Sequence, residues 1–133
     1  MAGRTVGAIG PGLCVLAAAE QGDTDADARQ AAEKIAHLRI FEDEGGKMNR
    51  SVLETGGGIL LVSNFTVAGD CRKGRRPSFD GAMEASGARE LLEVFSGALR
   101  AAGVVVAEGV FGAAMEVEII NDGPVTLVYA TRL

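Results

Sequence analysis

Histidine occurs once in these 133 residues, cysteine twice, and basic residues number 13 against 18 acidic ones. Each shortage excludes something. A lone His37 cannot supply paired histidines at zinc spacing, and no set of histidines and acids shows that spacing. Cys14 and Cys71 form neither a disulfide framework nor a metal motif. No stretch approaches the roughly 18 consecutive apolar residues of a membrane span. The opening Met-Ala-Gly-Arg-Thr lacks the charged-then-apolar layout of a signal peptide. None of the glycine-rich stretches is followed by Gly-Lys-Ser/Thr, so there is no P-loop. The net charge of -5 is the wrong sign for a protein that coats itself with nucleic acid. The expectation is a cytoplasmic protein with no metal, no cofactor and no membrane partner.

What is present reads as one domain over residues 1–133, with 47% hydrophobic residues and 19 glycines for tight turns. A short strand is predicted over 4–9, followed by the turn Gly10-Pro11-Gly12. Leu13 to Ala19 is a continuous apolar run of strand length. Asp23 and Thr24 offer N-cap oxygens to a helix from Asp25 to about Leu38, with Ala28, Ala31, Ala32, Ile35 and Leu38 at helical spacing. After the turn-rich loop Glu42 to Gly46, three glycines at 56–58 close an irregular segment. A second apolar strand runs from Ile59 to Val67. Ser86 is placed to cap a helix reaching about Ala102, with Ala88, Leu91, Leu92, Phe95 and Leu99 as its stripe. Three strands follow: Val104 to Ala107, Ala114 to Ile120 and Val125 to Ala130. In the second, Met115, Val117 and Ile119 alternate with Glu116 and Glu118, the period of a half-buried strand. The pattern predicts an α+β domain with a largely antiparallel, barrel-like sheet and two helices packed against it.

Conventional catalytic groups are scarce. His37 sits in a helix with no cysteine or serine motif nearby, which reads as a surface histidine rather than a general base. Cys71 stands beside Arg72 and Lys73 but has no partnering base. Arg72, Lys73, Arg75 and Arg76 lie within five residues, a local basic patch on an acidic body. That suits contact with one end of a nucleic acid, and equally a solvated loop. Two polar interruptions of apolar strands remain, Ser63-Asn64-Phe65-Thr66 and Asn121-Asp122-Gly123-Pro124-Val125-Thr126. A strand that turns polar at its end often delivers groups into a cleft, and ordinary strand termination looks the same. The Gly-Pro pair fixes local geometry and removes an amide donor, leaving the glycine carbonyl free to face a ligand.

At these residues the chain resembles the D-aminoacyl-tRNA deacylase family. Arg39-Ile40-Phe41 and Gly46-Lys47-Met48-Asn49 resemble the segment after the family's first helix. Ser63-Asn64-Phe65-Thr66-Val67 resembles its Ser-Gln-Phe-Thr-Leu signature, and Lys73-Gly74-Arg75-Arg76-Pro77-Ser78-Phe79 the basic loop that follows. Phe111-Gly112-Ala113-Ala114-Met115 and Asn121-Asp122-Gly123-Pro124-Val125-Thr126 resemble the two C-terminal signatures. The five matches keep the family's order and span essentially the whole chain.

The resemblance implies a homodimer that hydrolyses D-aminoacyl-tRNA, and mischarged glycyl-tRNA as well. A Gly-Pro motif, cis in the family, would be lent across the dimer interface. The Gly123 and Pro124 carbonyls would then hold the substrate amino group and exclude an L side chain, with Asn121, Phe111 and Met115 also at the substrate. Ser63, Asn64, Phe65 and Thr66 would surround the scissile ester and terminal adenosine, their amides facing the developing oxyanion. Lys73, Arg75 and Arg76 would meet the tRNA. Two chemistries stay open: hydrolysis assisted by the tRNA's own 2′-hydroxyl, the favoured one, and Thr66 as nucleophile. Two departures from the pattern stand out. Asn64 replaces the family's glutamine, and the family's first strand, with an arginine bracing the Gly-Pro turn, has no counterpart ahead of Arg4. An upstream start is the expected explanation, a shortened form the alternative. The competing functional readings are an inactive RNA-binding or interaction protein on the same fold, and a small-metabolite hydrolase.

Overall fold

The computed structural model describes residues 2–131. Its centre is a three-stranded sheet of β1 (Gly12–Ala17), β4 (Gly58–Ser63) and β5 (Val105–Glu108), in the order β1-β4-β5. Both pairings are parallel, with Gly12 opposite Gly58 at one end and Ala17 opposite Ser63 at the other. This corrects the expected largely antiparallel, barrel-like sheet: the sheet is parallel and open. The reason lies in the connections. Each successive strand is reached through a long crossover containing a helix, the connection parallel strands require. Strands covered by crossovers also read as continuous apolar runs, as Leu13 to Ala19 and Ile59 to Val62 do.

The first crossover carries α1 (Asp25–His37), the two-stranded β2 (Phe41–Glu42) and β3 (Met48–Arg50), and the short α2 (Val52–Thr55). Thr24 caps α1 in a reciprocal box with Asp27, which satisfies two amides at the helix start. Ser51 and Glu54 form the same box on α2, and Gly56 ends it in the left-handed conformation. The second crossover carries a 3-10 turn (Phe65–Ala68), the basic loop and α3 (Ala85–Ala101). Ser86 is not its cap. The helix begins at Ala85 after Glu84, without a side-chain cap, and the Ser86 hydroxyl donates to the Glu84 carboxylate at 2.9 Å instead.

The alanine face of α1 (Ala28, Ala32, Ala36) packs on Ala88, Leu91, Phe95 and Leu99 of α3, over Ile59 and Leu61 of β4. Small residues on one helix let the larger side chains of the other interdigitate. Arg100 pins α3 to β5, donating to the Ser96 hydroxyl at 2.6 Å and to the Glu108 carboxylate at 3.0 Å.

Three expected strands are not formed. Residues 4–9 lie outside the ladder, although a Cβ on Gly7 would sit 2.5 Å from the Glu108 carbonyl oxygen, so this segment crosses close over β5. The segments 114–120 and 125–130 are extended but join no ladder among the described residues. Apart from Met115, their large apolar side chains are exposed, Ile120 to 90% and Val128 to 97%. Alternation records which side a strand would bury, but a strand also needs a neighbour for its amides.

Gly12 meets Gly58 too closely for a side chain, since a Cβ there would lie 1.9 Å from the Gly58 carbonyl oxygen, whereas one on Gly10 meets nothing within 4 Å. Gly12→Ala should therefore destabilise the fold by about 1–3 kcal/mol. Gly10→Ala should change stability by less than about 0.5 kcal/mol. Urea denaturation of the two variants checks the contrast.

Candidate active site

Parallel strands end on the same side of their sheet, and in open α/β sheets the crevice beyond the carboxyl ends is where ligands bind. Ala17, Ser63 and Glu108 mark that edge here. Asn64 follows β4 and donates its amide to the Ala17 carbonyl at 2.8 Å, extending the β1–β4 ladder by one residue. The chain then turns through Phe65–Ala68, with Val67 N–H on the Asn64 carbonyl at 3.0 Å and Gly69 N–H on the Thr66 carbonyl at 2.9 Å. The Phe65 and Thr66 amides are left without an acceptor among the described residues. The Thr66 hydroxyl donates to the Asn64 side-chain oxygen at 2.5 Å. Phe65 is 60% exposed. Its ring meets Phe79 edge to face, with centroids 5.2 Å apart and planes at 71°.

The segment after β5 returns to the same edge. Gly109 donates to the Leu61 carbonyl at 3.1 Å, and Met115 folds back so that its sulfur accepts from the Val110 amide at 3.4 Å. A Cβ on Gly109 would lie 2.7 Å from that sulfur and 4.0 Å from Val62, so Met115 sits against the end of β4. Phe111 packs on the core, and the Arg89 guanidinium lies 5.0 Å over its ring. The fold thus brings Ser63, Asn64, Phe65, Thr66, Phe111 and Met115 to one edge of the sheet.

Asn121, Gly123 and Pro124 share no hydrogen bond with those residues within the one chain, among the described residues. These form their own corner, where the Asn121 side chain accepts from the Val125 amide at 3.0 Å and donates to the Thr126 hydroxyl at 2.8 Å. The Gly123–Pro124 bond is cis. No hydrogen bond links this corner to residues 63–66 among the described residues.

The basic loop leaves the site through Gly69 and is closed at its base by paired amide bonds between Asp70 and Ser78, 2.7 and 2.8 Å. Arg72 is turned back onto Asp70 in a two-point contact of 2.9 and 2.8 Å. Lys73, Arg75 and Arg76 are exposed and make no hydrogen bond or ion pair among the described residues. Between the turn and the loop lies an open depression lined by Glu20, Gly69, Asp70, Cys71, Ser78 and Asp80. The Arg72 side chain and amide hold the Asp70 carboxyl down from its ordinary 3.8 to about 2.

His37 is on the outer face of α1, its Nδ1 2.9 Å from the Glu33 carbonyl oxygen and remote from this edge in the sequence of elements. Burial pushes the Cys14 thiol up. No group of three or more metal-ligating side chains occurs among the described residues. No helix among them is long and apolar enough to cross a membrane. Phe79, Arg89 and Asp70 were given no role by sequence reasoning. Only their tertiary contacts single them out, and no spacing rule could have found them.

Comparison with known proteins supplies a class and then a family. A solved structure named "c-Myc DNA Unwinding Element Binding Protein" superposes with a TM-score of 0.85 at 40% identity, over 90% of this chain and 81% of that one. The structure of "a probable eukaryotic D-amino acid tRNA deacylase" shares the fold, with a TM-score of 0.61 at 19% identity over 77% of this chain and 75% of that one. The class is therefore an α+β domain of this shared architecture. The family described as "D-Tyr-tRNA(Tyr) deacylase" matches residues 1–130. A D-aminoacyl-tRNA deacylase of Heliobacterium modesticaldum is 64% identical over 98% of this chain and 87% of its own length. One of Thermus aquaticus is 58% identical over 95% and 83%. The chain belongs to the D-Tyr-tRNA(Tyr) deacylase family.

Since the folded-state value of Asp70 lies below its ordinary one, the Asp70–Arg72 pair is intact above about pH 4 and is lost as pH falls towards 2. Carbon-detected NMR should place the Asp70 midpoint at about 2, and Arg72→Ala should return it towards 3.8.

Proposed function

We propose that this chain hydrolyses the ester joining a D-amino acid to tRNA, releasing the free amino acid and the tRNA in the cytoplasm. The observation that carries the mechanism is the pair of amides at Phe65 and Thr66, on the carboxyl edge of the sheet, that have no acceptor among the described residues. An ester carbonyl placed against them would direct its oxygen at two donors as negative charge develops in the tetrahedral intermediate. An aminoacyl ester is already labile, so holding water and carbonyl in line is the main task, and no histidine is required. Mischarged glycyl-tRNA fits the same site, because glycine has no side chain for a stereochemical filter to reject.

The filter is the corner at Gly123 and Pro124, presented by a second copy of the chain. Two features support this. Within one chain the corner makes no hydrogen bond to residues 63–66 among those described. The flanking segments expose Ile119, Ile120, Leu127 and Val128, apolar surface that a partner would cover. Main-chain carbonyls of the corner would take the substrate ammonium and leave no room for an L side chain. Asn121 holds that corner through Val125 and Thr126, while Phe111 and Met115 would border the amino acid.

The tRNA is approached through Lys73, Arg75 and Arg76, which are free to meet phosphates where Arg72 is not. The acidic remainder of the surface limits contact to this end.

Two measurements test the reading. D-Tyr-tRNA and L-Tyr-tRNA assayed in parallel should show turnover of the D-ester alone, by a species sedimenting at twice 13.7 kDa. Equal loss of both esters, or none from a folded dimer, rejects it. Replacing both loop arginines (Arg75→Glu, Arg76→Glu) should weaken tRNA binding and lower the slope of log K against log salt by about 1.5–2. An unchanged slope removes the loop from the interface.

A further inference from the structure

The second crossover leaves β4 at the carboxyl edge of the sheet and returns to the start of β5, so α3 begins at that edge and descends from it. Arg89 stands in the second turn of this helix, near its upper end. Glu93 follows four residues on, the spacing of a helical ion pair. The Arg89 guanidinium nevertheless lies 5.0 Å over the Phe111 ring. Phe111 is itself packed against the core, so the cation rests on a fixed platform. Elsewhere the chain turns its arginines onto carboxylates, Arg50 onto Glu44, Arg72 onto Asp70 and Arg100 onto Glu108. Arg89 is exposed and makes no hydrogen bond or ion pair among the described residues. A guanidinium carries N–H donors in a planar fork and no acceptor, so this fork is unspent. Seated over an aromatic ring it is already placed, and its shape matches two oxygens of one phosphate.

We propose that Arg89, seated on Phe111, binds a backbone phosphate in the 3′-terminal strand of the tRNA, a contact separate from the basic loop. It rests on the tRNA reading above, in which Phe111 borders the aminoacyl end. That end carries an ammonium and an ester. Apart from an acidic side chain, its nearest anions are therefore the phosphates that join the last nucleotides. Arg89 lies at the edge where those phosphates would pass, and its fork has no competing carboxylate among the described residues. The loop cations and Arg89 then hold the strand at two points, which fixes its direction across the edge.

Binding of uncharged tRNA to the full chain, followed over a salt series, tests the proposal. Arg89→Gln should weaken binding about fivefold near about 0.1 M salt and lower the slope of log K against log salt by about 0.7, the share of one single-strand phosphate. Arg89→Lys keeps the charge without the fork, so it should restore the slope at an affinity between the other two. Arg89 is exposed, so both variants should fold, which circular dichroism checks. A residue that only braced Phe111 would weaken binding equally at every salt concentration. An Arg89→Gln slope equal to wild type, or an Arg89→Lys slope no steeper than that of Arg89→Gln, therefore overturns the phosphate contact. The loop variant (Arg75→Glu, Arg76→Glu) run alongside separates the two readings. A wild type whose slope falls with the loop variant but not with Arg89→Gln overturns the Arg89 contact alone. A wild type that binds no tRNA overturns the tRNA reading with it.

Discussion

Six residues of β1 lie parallel to six of β4, from Gly12 beside Gly58 to Ala17 beside Ser63, and the site inherits its geometry from that register. Two glycines permit the close backbone approach at one end, and the ladder then runs without slippage to the other. A shift of one residue would turn Ile59 and Leu61 out of the core and Leu60 into it. The register also decides that Asn64 meets the Ala17 carbonyl. That bond fixes where β4 stops and where the 3-10 turn begins, and hence which two amides are left without acceptors among the described residues. Since β5 pairs parallel on the far side of β4, its outgoing chain delivers Gly109 and Met115 to the same edge.

The two long helices were legible in the sequence because their signals are local, whereas the short α2 lies in what reads as an irregular segment. Thr24 with Asp27 three residues on, and an alanine every fourth residue along α1, state both the start and the buried face. The polar break at Ser63-Asn64-Phe65-Thr66 was readable, but the strand expected to run on to Val67 ends at Ser63 and gives way to a 3-10 turn. Strand direction was not readable. The uninterrupted apolar run from Leu13 carried the parallel signal, but the alternation from Met115 to Ile119 suggested a sheet with one wet face. In the described chain that alternating segment has no ladder partner, and pairing is a property of two segments that neither spells out alone. Contacts such as Phe65 on Phe79, or Asp70 with Arg72, depend on how a loop closes. A lone cap oxygen at Ser86 misled for a related reason: the helix already begins at Ala85, so Ser86 lies inside the first turn, past the cap position.

Charge is organised by subtraction. The sequence shows four cations in five residues, but Asp70 removes Arg72 from the set and uses it to stiffen the base of the loop. What remains is three cations on a braced hairpin, beside the edge where the strands end. On a chain of net charge -5 this concentrates any attraction for a polyanion at one place. For the tRNA contact proposed above, orientation would follow from repulsion elsewhere as much as from attraction here. An end-on approach of the nucleic acid is the geometry that keeps most of its phosphates away from the acidic surface.

A site made chiefly of main chain has a particular consequence for which side chains can change. In the proposed site, amide donors at 65 and 66, and carbonyls at 123 and 124, would survive substitution so long as the backbone keeps its path. On that account Asn64 can stand where the signature that this segment resembles has glutamine. The side chain need only leave the turn intact, and here it reinforces it by holding Thr66. The backbone exclusion proposed for the 123–124 corner would have the same tolerance, since it would reject by volume and not by a complementary group. The demand falls instead on rigidity, and rigidity is what the Gly12–Gly58 contact, the Asn64 clamp and the Asn121 bonds to Val125 and Thr126 each provide.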